Sequence, residues 1–211
     1  MSKYKCIIFD CDGVLVDSEP ISIQVLVDMA NAHGADIDLV YGMKHFKGSF
    51  MKACLEKISK LATVPLIENF ESEYRQKSFE AFKQNVKAVD GVKKVLDNLN
   101  IPFCVASSGP EDKIKLNLKL TELLPYFENK IFSCYAIQKW KPEPDVFLWA
   151  AKSMGFKPEE CLVVEDSLSG VRAAKAGGFD VFGFVAHDYN NELKEEATNT
   201  FNTMNSLLSM I

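Results

Sequence analysis

The residues in this chain best suited to do chemistry are acids that follow apolar runs. Asp10 and Asp12 stand two apart in FDCDGVLVDS, directly after Cys6-Ile7-Ile8-Phe9, and Asp17 closes the same stretch. Glu165 and Asp166 are adjacent in CLVVEDS, again at the end of an apolar run. Between them lie Ser107 in ASSGPEDK and Lys141 in KWKPEPDVF. Each has an ordinary reading when taken alone. Ser107-Ser108-Gly109-Pro110, followed by Glu111 and Asp112, is a helix start with Pro110 at the first helical position, and serves as a simple cap. The same free backbone N–H groups would also suit a phosphate, with the Ser107 hydroxyl beside them. Lys141 alone is a solvated charge, although Pro142 behind it biases its backbone to an extended form; Lys139 is its rival. Glu165 and Asp166 could cap the next helix with Ser167, or bind a hard cation through oxygen.

Taken together, these residues favour the chemical reading. Two negative charges about 4 Å apart repel by roughly 4 kcal/mol at an effective dielectric near 20. Three or four carboxylates and a phosphate therefore cannot share a pocket without a lysine and a cation. Mg²⁺, which takes one or two carboxylates, waters and a phosphate oxygen, is the expected ion. Cys11 lies between the two aspartates, but a nucleophilic thiol would want a histidine partner and none stands nearby in sequence.

The elements that must position these residues are legible as short apolar runs bounded by turn signals: 6–9, 103–106, 131–135, 162–164 and 181–185. Their near-continuous apolar character predicts strands of a parallel sheet covered on both faces. Helical patterns lie between them, near 92–99, 111–124, 144–154 and 168–176. The alternation predicts a doubly wound, Rossmann-like α/β core. Ligands in such a sheet bind beyond the carboxyl ends of the strands, where Asp10, Asp12, Ser107, Glu165 and Asp166 would all lie. Residues 16–87 break the alternation. Apolar residues recur there at helical spacing (Ile23, Leu26, Val27, Ala30; Phe50, Cys54, Leu55, Ile58, Leu61; Phe70, Tyr74, Phe79, Phe82). The expected organisation is an α/β core from 1–15 and 88–211 with an inserted helical cap from 16–87. The tail from Asn190 carries little pattern.

The bulk numbers exclude other classes. The chain has 211 residues, 47% of them hydrophobic, and a formal net charge of −5. Without a basic surplus, nucleic acid is not an expected partner. No apolar stretch approaches the roughly 18 residues of a membrane span, and the first apolar run is too short for a signal peptide. A cytoplasmic monomer acting on a small phosphorylated metabolite is expected. The six cysteines show no metal-ligand spacing and read as reduced small hydrophobes. His33, His45 and His187 likewise show no ligand spacing and read as surface or structural.

Asp10-Cys11-Asp12-Gly13-Val14, then Ser107, Lys141 and Glu165-Asp166, in that order and at those strand ends, resemble the haloacid dehalogenase (HAD) superfamily. The inserted helices resemble the small cap of its β-phosphoglucomutase-like branch, and the FKG loop and YAIQKWKPEPD stretch are similar to 6-phosphogluconate phosphatases. The resemblance implies Asp10 as a nucleophile forming an aspartyl-phosphate, and Asp12 as the acid for the leaving alcohol and then the base for water. It implies that Ser107, with the backbone at Ser108 and Gly109, and Lys141 hold the phosphoryl group. Mg²⁺ would be held by Asp10, the Asp12 carbonyl and Asp166, with Glu165 a further ligand or an acid behind it. Asp17 would belong to the hinge or the first cap helix. The loop HFKGSFMKACL resembles the family's specificity loop, so Lys47, Gly48 and Lys52 are candidate substrate contacts, one of the lysines meeting a second negative group; Lys44 belongs to the same cluster, which could also be a solvated basic edge.

The resemblance thus implies a Mg²⁺-dependent phosphatase of a sugar or sugar-acid phosphate such as 6-phosphogluconate. One alternative is a β-phosphoglucomutase-type isomerase, but the mutases carry an arginine where Met51 aligns and a histidine where Ser22 aligns. Arginine is the residue that grips a second phosphate bidentately. The other is a non-catalytic sugar-phosphate-binding module, which would have no need of both Asp10 and Asp12.

Overall fold

The structure is a computed structural model, and it describes residues 3–47, 49, 51–188 and 191–211. The chain forms two compact units, 1–17 with 87–211 and 18–86. The first junction falls two residues later than the sequence suggests, and the second one residue earlier. Backbone pairing explains the difference: Val16 bridges to Asp12 and to Ala88, and the Asp17 N–H donates to the Lys87 carbonyl at 2.9 Å.

The larger unit is built on six parallel strands: β1 (Cys6–Phe9), β2 (Phe103–Ser107), β3 (Ile131–Ser133), β4 (Cys161–Glu165), β5 (Asp180–Phe184) and β6 (Asn199–Phe201). Their order, β3-β2-β1-β4-β5-β6, is that of a doubly wound, Rossmann-like sheet. Strand order reverses between β1 and β4, which opens a crevice at the carboxyl ends of those two strands. Register places the chemistry there. Phe9 is level with Val105 of β2 and Val164 of β4, so Asp10 emerges beside Ala106 and Glu165.

Helices of the insert come first in chain order: α1 (Glu19–Asn31), α2 (Leu39–Phe46), α3 (Met51–Leu61) and α4 (Phe70–Asn85). Their apolar faces meet in one core that includes Ile23, Val27, Met43, Phe46, Cys54, Ile58 and Phe70. Ile23, Val27, Cys54, Ile58 and Phe70 match the helical spacing of the sequence, whereas Met43 and Phe46 of α2 are not in it and Leu61, which is, lies exposed; Phe50 lies outside the described residues.

The sheet is covered by α5 (Val92–Asn98), α6 (Glu111–Leu120), α7 (Cys134–Ile137), α8 (Asp145–Met154), α9 (Leu168–Ala176) and α10 (Leu193–Glu196). On one face Cys6, Ile8, Cys104, Ala106, Cys161 and Val163 pack against Phe147 and Ala150 of α8 and Val171 and Ala174 of α9. Ile7, Phe9, Val105 and Val164, which alternate with these, are buried too. Burial on both faces is why the strands read as unbroken apolar runs. None of the described helices is long and apolar enough to cross a membrane.

Three local expectations change. The run 131–135 is a strand only to Ser133, whose hydroxyl accepts from the Tyr135 N–H and starts α7. The helix expected over 111–124 stops at Leu120, and Leu124–Phe127 is a separate 3₁₀ turn. The tail contributes an edge strand, β6, and a 3₁₀ segment, Met204–Ser209.

Candidate active site

Asp10 leaves β1 with its N–H bonded to the Val164 carbonyl at 2.9 Å, so the sheet itself fixes where its side chain starts. The carboxylate is buried. Burial pushes its pKa well up; Lys141 opposes that shift, and the carboxylates of Glu165 and Asp166 add to it. Lys141 is buried as well, with Nζ 2.5 Å from Asp10 Oδ1, 2.6 Å from Glu165 Oε1 and 3.2 Å from the Ala106 carbonyl. Those three acceptors match the three donors of an ammonium. Burial alone would lower its pKa, but the charges of Asp10 and Glu165 outweigh it and hold Lys141 protonated. Lys139, by contrast, is exposed and pairs with Asp145 at 2.7 Å. Lys141 thus lies among the buried acids and Lys139 outside them.

Glu165 ends β4 with both oxygens engaged. Oε1 accepts from Lys141, and Oε2 accepts from the Ser167 N–H at 2.8 Å and hydroxyl at 2.9 Å. Ser167 in turn caps α9 by accepting from the Gly170 N–H at 3.1 Å. A Cβ on Gly170 would fall 1.8 Å from Glu165 Oε1, so only glycine lets the carboxylate lie against the start of that helix. The positive end of the helix dipole favours the charge placed there.

Asp166 is buried beside the loop that follows Asp10. Gly13 turns that loop with φ +81°, and a Cβ there would fall 2.2 Å from Asp166 Oδ2. The glycine therefore serves two needs, a left-handed backbone and close approach of an acid. Asp10, Glu165 and Asp166 each offer an oxygen, all within 4.8 Å of one another. Three carboxylates against the single ammonium of Lys141 leave an excess of negative charge in a buried space.

Ser107 ends β2, buried, and its hydroxyl accepts from the Gly109 N–H at 3.1 Å. The Gly109 carbonyl accepts from the Ser133 hydroxyl at 2.6 Å, which anchors the turn to β3. Pro110 is the N-cap of α6, in extended conformation, and not its first helical residue. The Ser108 hydroxyl lies 3.9 Å from Cys134 Sγ.

Asp12 is gripped by residues the sequence reading did not single out. Lys113 Nζ lies 2.9 Å from its Oδ2, and Asn117 Nδ2 lies 3.5 Å from its Oδ1. The only sequence signal was their spacing of four on the helix that Ser107 leads into. Cys11 is fully buried, and burial with the charges of Asp12 and Asp10 pushes its thiol well up, the opposite of an activated nucleophile.

In the helical unit Lys47 lies 3.0 Å from the Glu19 carboxylate, both side chains largely covered. Lys52 is exposed on α3, Lys44 on α2, and Gly48 lies outside the described residues. Asp17 Oδ1 and His187 Nε2 are 4.0 Å apart.

The profile of the haloacid dehalogenase-like hydrolases matches residues 4–178. The chain belongs to this family. As a HAD-like hydrolase it is 34% identical to the 6-phosphogluconate phosphatase of Escherichia coli, over 98% of the chain and 94% of that protein. It is 29% identical to a phosphorylated carbohydrates phosphatase of Thermotoga maritima, over 89% of the chain and 88% of the relative. Among solved structures, a haloacid dehalogenase-like protein of Agrobacterium tumefaciens superposes with a TM-score of 0.92 at 32% identity, covering 98% of the chain and 97% of its own. The HAD-like chain is thus a phosphoric monoester hydrolase.

Proposed function

We propose that the chain is a Mg²⁺-dependent phosphatase of a small sugar or sugar-acid phosphate such as 6-phosphogluconate, acting through an aspartyl-phosphate on Asp10. The observation that carries this reading is the buried Asp10–Lys141–Glu165 contact beside Asp166, at the point where strand order reverses. Lys141 aims Asp10 and opposes the rise of its pKa, favouring the ionised form that a carboxylate nucleophile needs. An Asp10 oxygen attacks phosphorus as the bond to the substrate oxygen breaks. Asp12 gives its proton to that oxygen, then takes one from the water that cleaves the acyl phosphate. The Ser107 hydroxyl and the N–H groups at Ser108 and Gly109 would hold the phosphoryl oxygens, and Lys141, whose three N–H groups are engaged by Asp10, Glu165 and the Ala106 carbonyl, would offset their charge.

The donor set fits Mg²⁺: hard carboxylate oxygens, gathered closely, with too little positive charge of their own. Asp10, the Asp12 carbonyl and Asp166 would hold the ion, whose charge would let a phosphate dianion enter among carboxylates. With both Glu165 oxygens engaged, we assign Glu165 to anchoring Lys141. The choice of a sugar or sugar-acid phosphate is supported by the relatives in E. coli and T. maritima and by their near-complete coverage.

The test is phosphate release across a panel of sugar phosphates, 6-phosphogluconate included, with Mg²⁺ and with excess EDTA, for wild type and Asp10→Asn. Mg²⁺-dependent release that Asp10→Asn abolishes is expected. Full activity in EDTA would remove the metal from the reading. Comparable turnover by Asp10→Asn would remove the covalent step.

A further inference from the structure

The grip on Asp12 comes from one face of one helix. Lys113 and Asn117 are four residues apart on α6, and so project side by side. The same helix begins at the Ser107–Gly109 turn, and a Cβ on Gly109 would sit 3.6 Å from Asp12 Oδ2. The phosphate-binding turn and the clamp on Asp12 are therefore parts of a single rigid element. The Lys113–Asp12 contact is mostly covered, with side chains 24% and 19% exposed, unlike the exposed Lys115–Glu111 pair on the same helix. Asn117 is wholly buried, between Ile114 and Leu118 of the core. Its Oδ1 has no hydrogen-bond partner among the described residues, while its Nδ2 is directed at Asp12. A buried amide half satisfied in this way costs stability that an apolar residue would not.

We propose that Lys113, assisted by Asn117, is a positioning residue for Asp12, holding the carboxyl group where its proton reaches the leaving oxygen. This rests on the reading of Asp12 as proton donor. In this reading neither residue acts on the transferred phosphoryl group directly. Their contribution is made through Asp12 and should scale with the need for a proton. When an alkyl phosphate reacts, the departing sugar oxygen is strongly basic and must be protonated as its bond to phosphorus breaks. A nitrophenolate is stable as the anion and leaves without that proton.

The experiment compares kcat/KM for an alkyl phosphate (6-phosphogluconate, or glucose 6-phosphate if the former is poor) with kcat/KM for p-nitrophenyl phosphate. This parameter reports only steps up to phosphorylation of the enzyme, before water is activated. Wild type, Lys113→Met, Lys113→Arg and Asp12→Asn are measured in saturating Mg²⁺. Methionine keeps the stem of the lysine on a helix surface, and arginine keeps the charge. A positioned acid contributes about 10²–10⁴-fold, so Lys113→Met should lose about tenfold or more on the alkyl phosphate. It should lose little on p-nitrophenyl phosphate, and Lys113→Arg should recover most of the difference. Equal losses on both substrates would make Lys113 a phosphate binder or a structural residue and overturn the proposal, as would no loss on either. Asp12→Asn separates the two readings. If it too shows no dependence on the leaving group, Asp12 is not the donor; if it shows the dependence and Lys113→Met does not, only the positioning role fails.

Discussion

Replacing Lys141 with methionine would leave Asp10 and Glu165 facing each other, buried, with Asp166 beside them. Two charges no more than 4.8 Å apart repel by about 3.5 kcal/mol or more at an effective dielectric near 20. Removing one member of a buried ion pair costs about 3–5 kcal/mol by experience with other proteins, which agrees. For a chain of this size each kcal/mol lowers Tm by about 2–4 °C, so the loss should be about 6–20 °C. The assay is thermal and urea unfolding at pH 7.5 in EDTA, read on the α/β core, with Mg²⁺ then added back. Mg²⁺ should return part of the loss in the variant by replacing the missing positive charge.

The pH dependence has a definite sign. Asp10 already titrates well above its ordinary value because it is buried and faces Glu165 and Asp166, and Lys141 is the chief restraint on that rise. Without Lys141 it titrates higher still. Below the unfolded value, near 4, both states carry the proton and the penalty is absent. As the pH rises from there, wild type and variant first lose stability together, because Asp10 is raised in both; the gap opens only between the folded value of wild type and the still higher one of the variant, where the variant alone keeps its proton. Lowering the pH from 7.5 toward 5 should therefore narrow the gap between variant and wild type. A variant within about 1 kcal/mol of wild type in EDTA at pH 7.5, with no pH dependence of the difference, would refute the buried ion cluster as the organising interaction.

Gly13→Ala should place a Cβ against Asp166 and force a left-handed alanine, costing about 1–2 kcal/mol of stability. It should also raise the Mg²⁺ concentration for half-maximal activity by about tenfold, and an unchanged Mg²⁺ titration would separate Asp166 from the metal. Supplied with β-glucose 1-phosphate and a bisphosphate primer, the enzyme should release phosphate and form no glucose 6-phosphate by NMR, because Ser22 and Met51 cannot grip a second phosphate. Efficient isomerisation would overturn that alignment.

How much of this was visible in the sequence depends on what fixes each residue. Asp10, Ser107, Glu165 and Asp166 follow apolar runs without a gap, so a correct strand assignment already placed them at one edge of the sheet. Residues 134–137, by contrast, continue an apolar run whose period cannot separate strand from helix; the Ser133 hydroxyl decides it in favour of α7. Strand β6 is three residues long with Asn199 and Thr200 in it, too short and polar to show a pattern. Lys141 was favoured over Lys139 by the proline behind it, and the fold shows that Asp145 pairs with Lys139 while the buried acids take Lys141. Lys113 and Asn117 were the hardest. They flank Ile114 and Leu118 in sequence, as residues of a solvated helix face would. Their partner Asp12 is 101 and 105 positions away, brought near by the β1–β2 pairing and the docking of α6. A side chain that acts through its own strand end leaves a local signature. One that acts by steadying another leaves none until the packing is known, which is why the support for Asp12 had to be found in the structure.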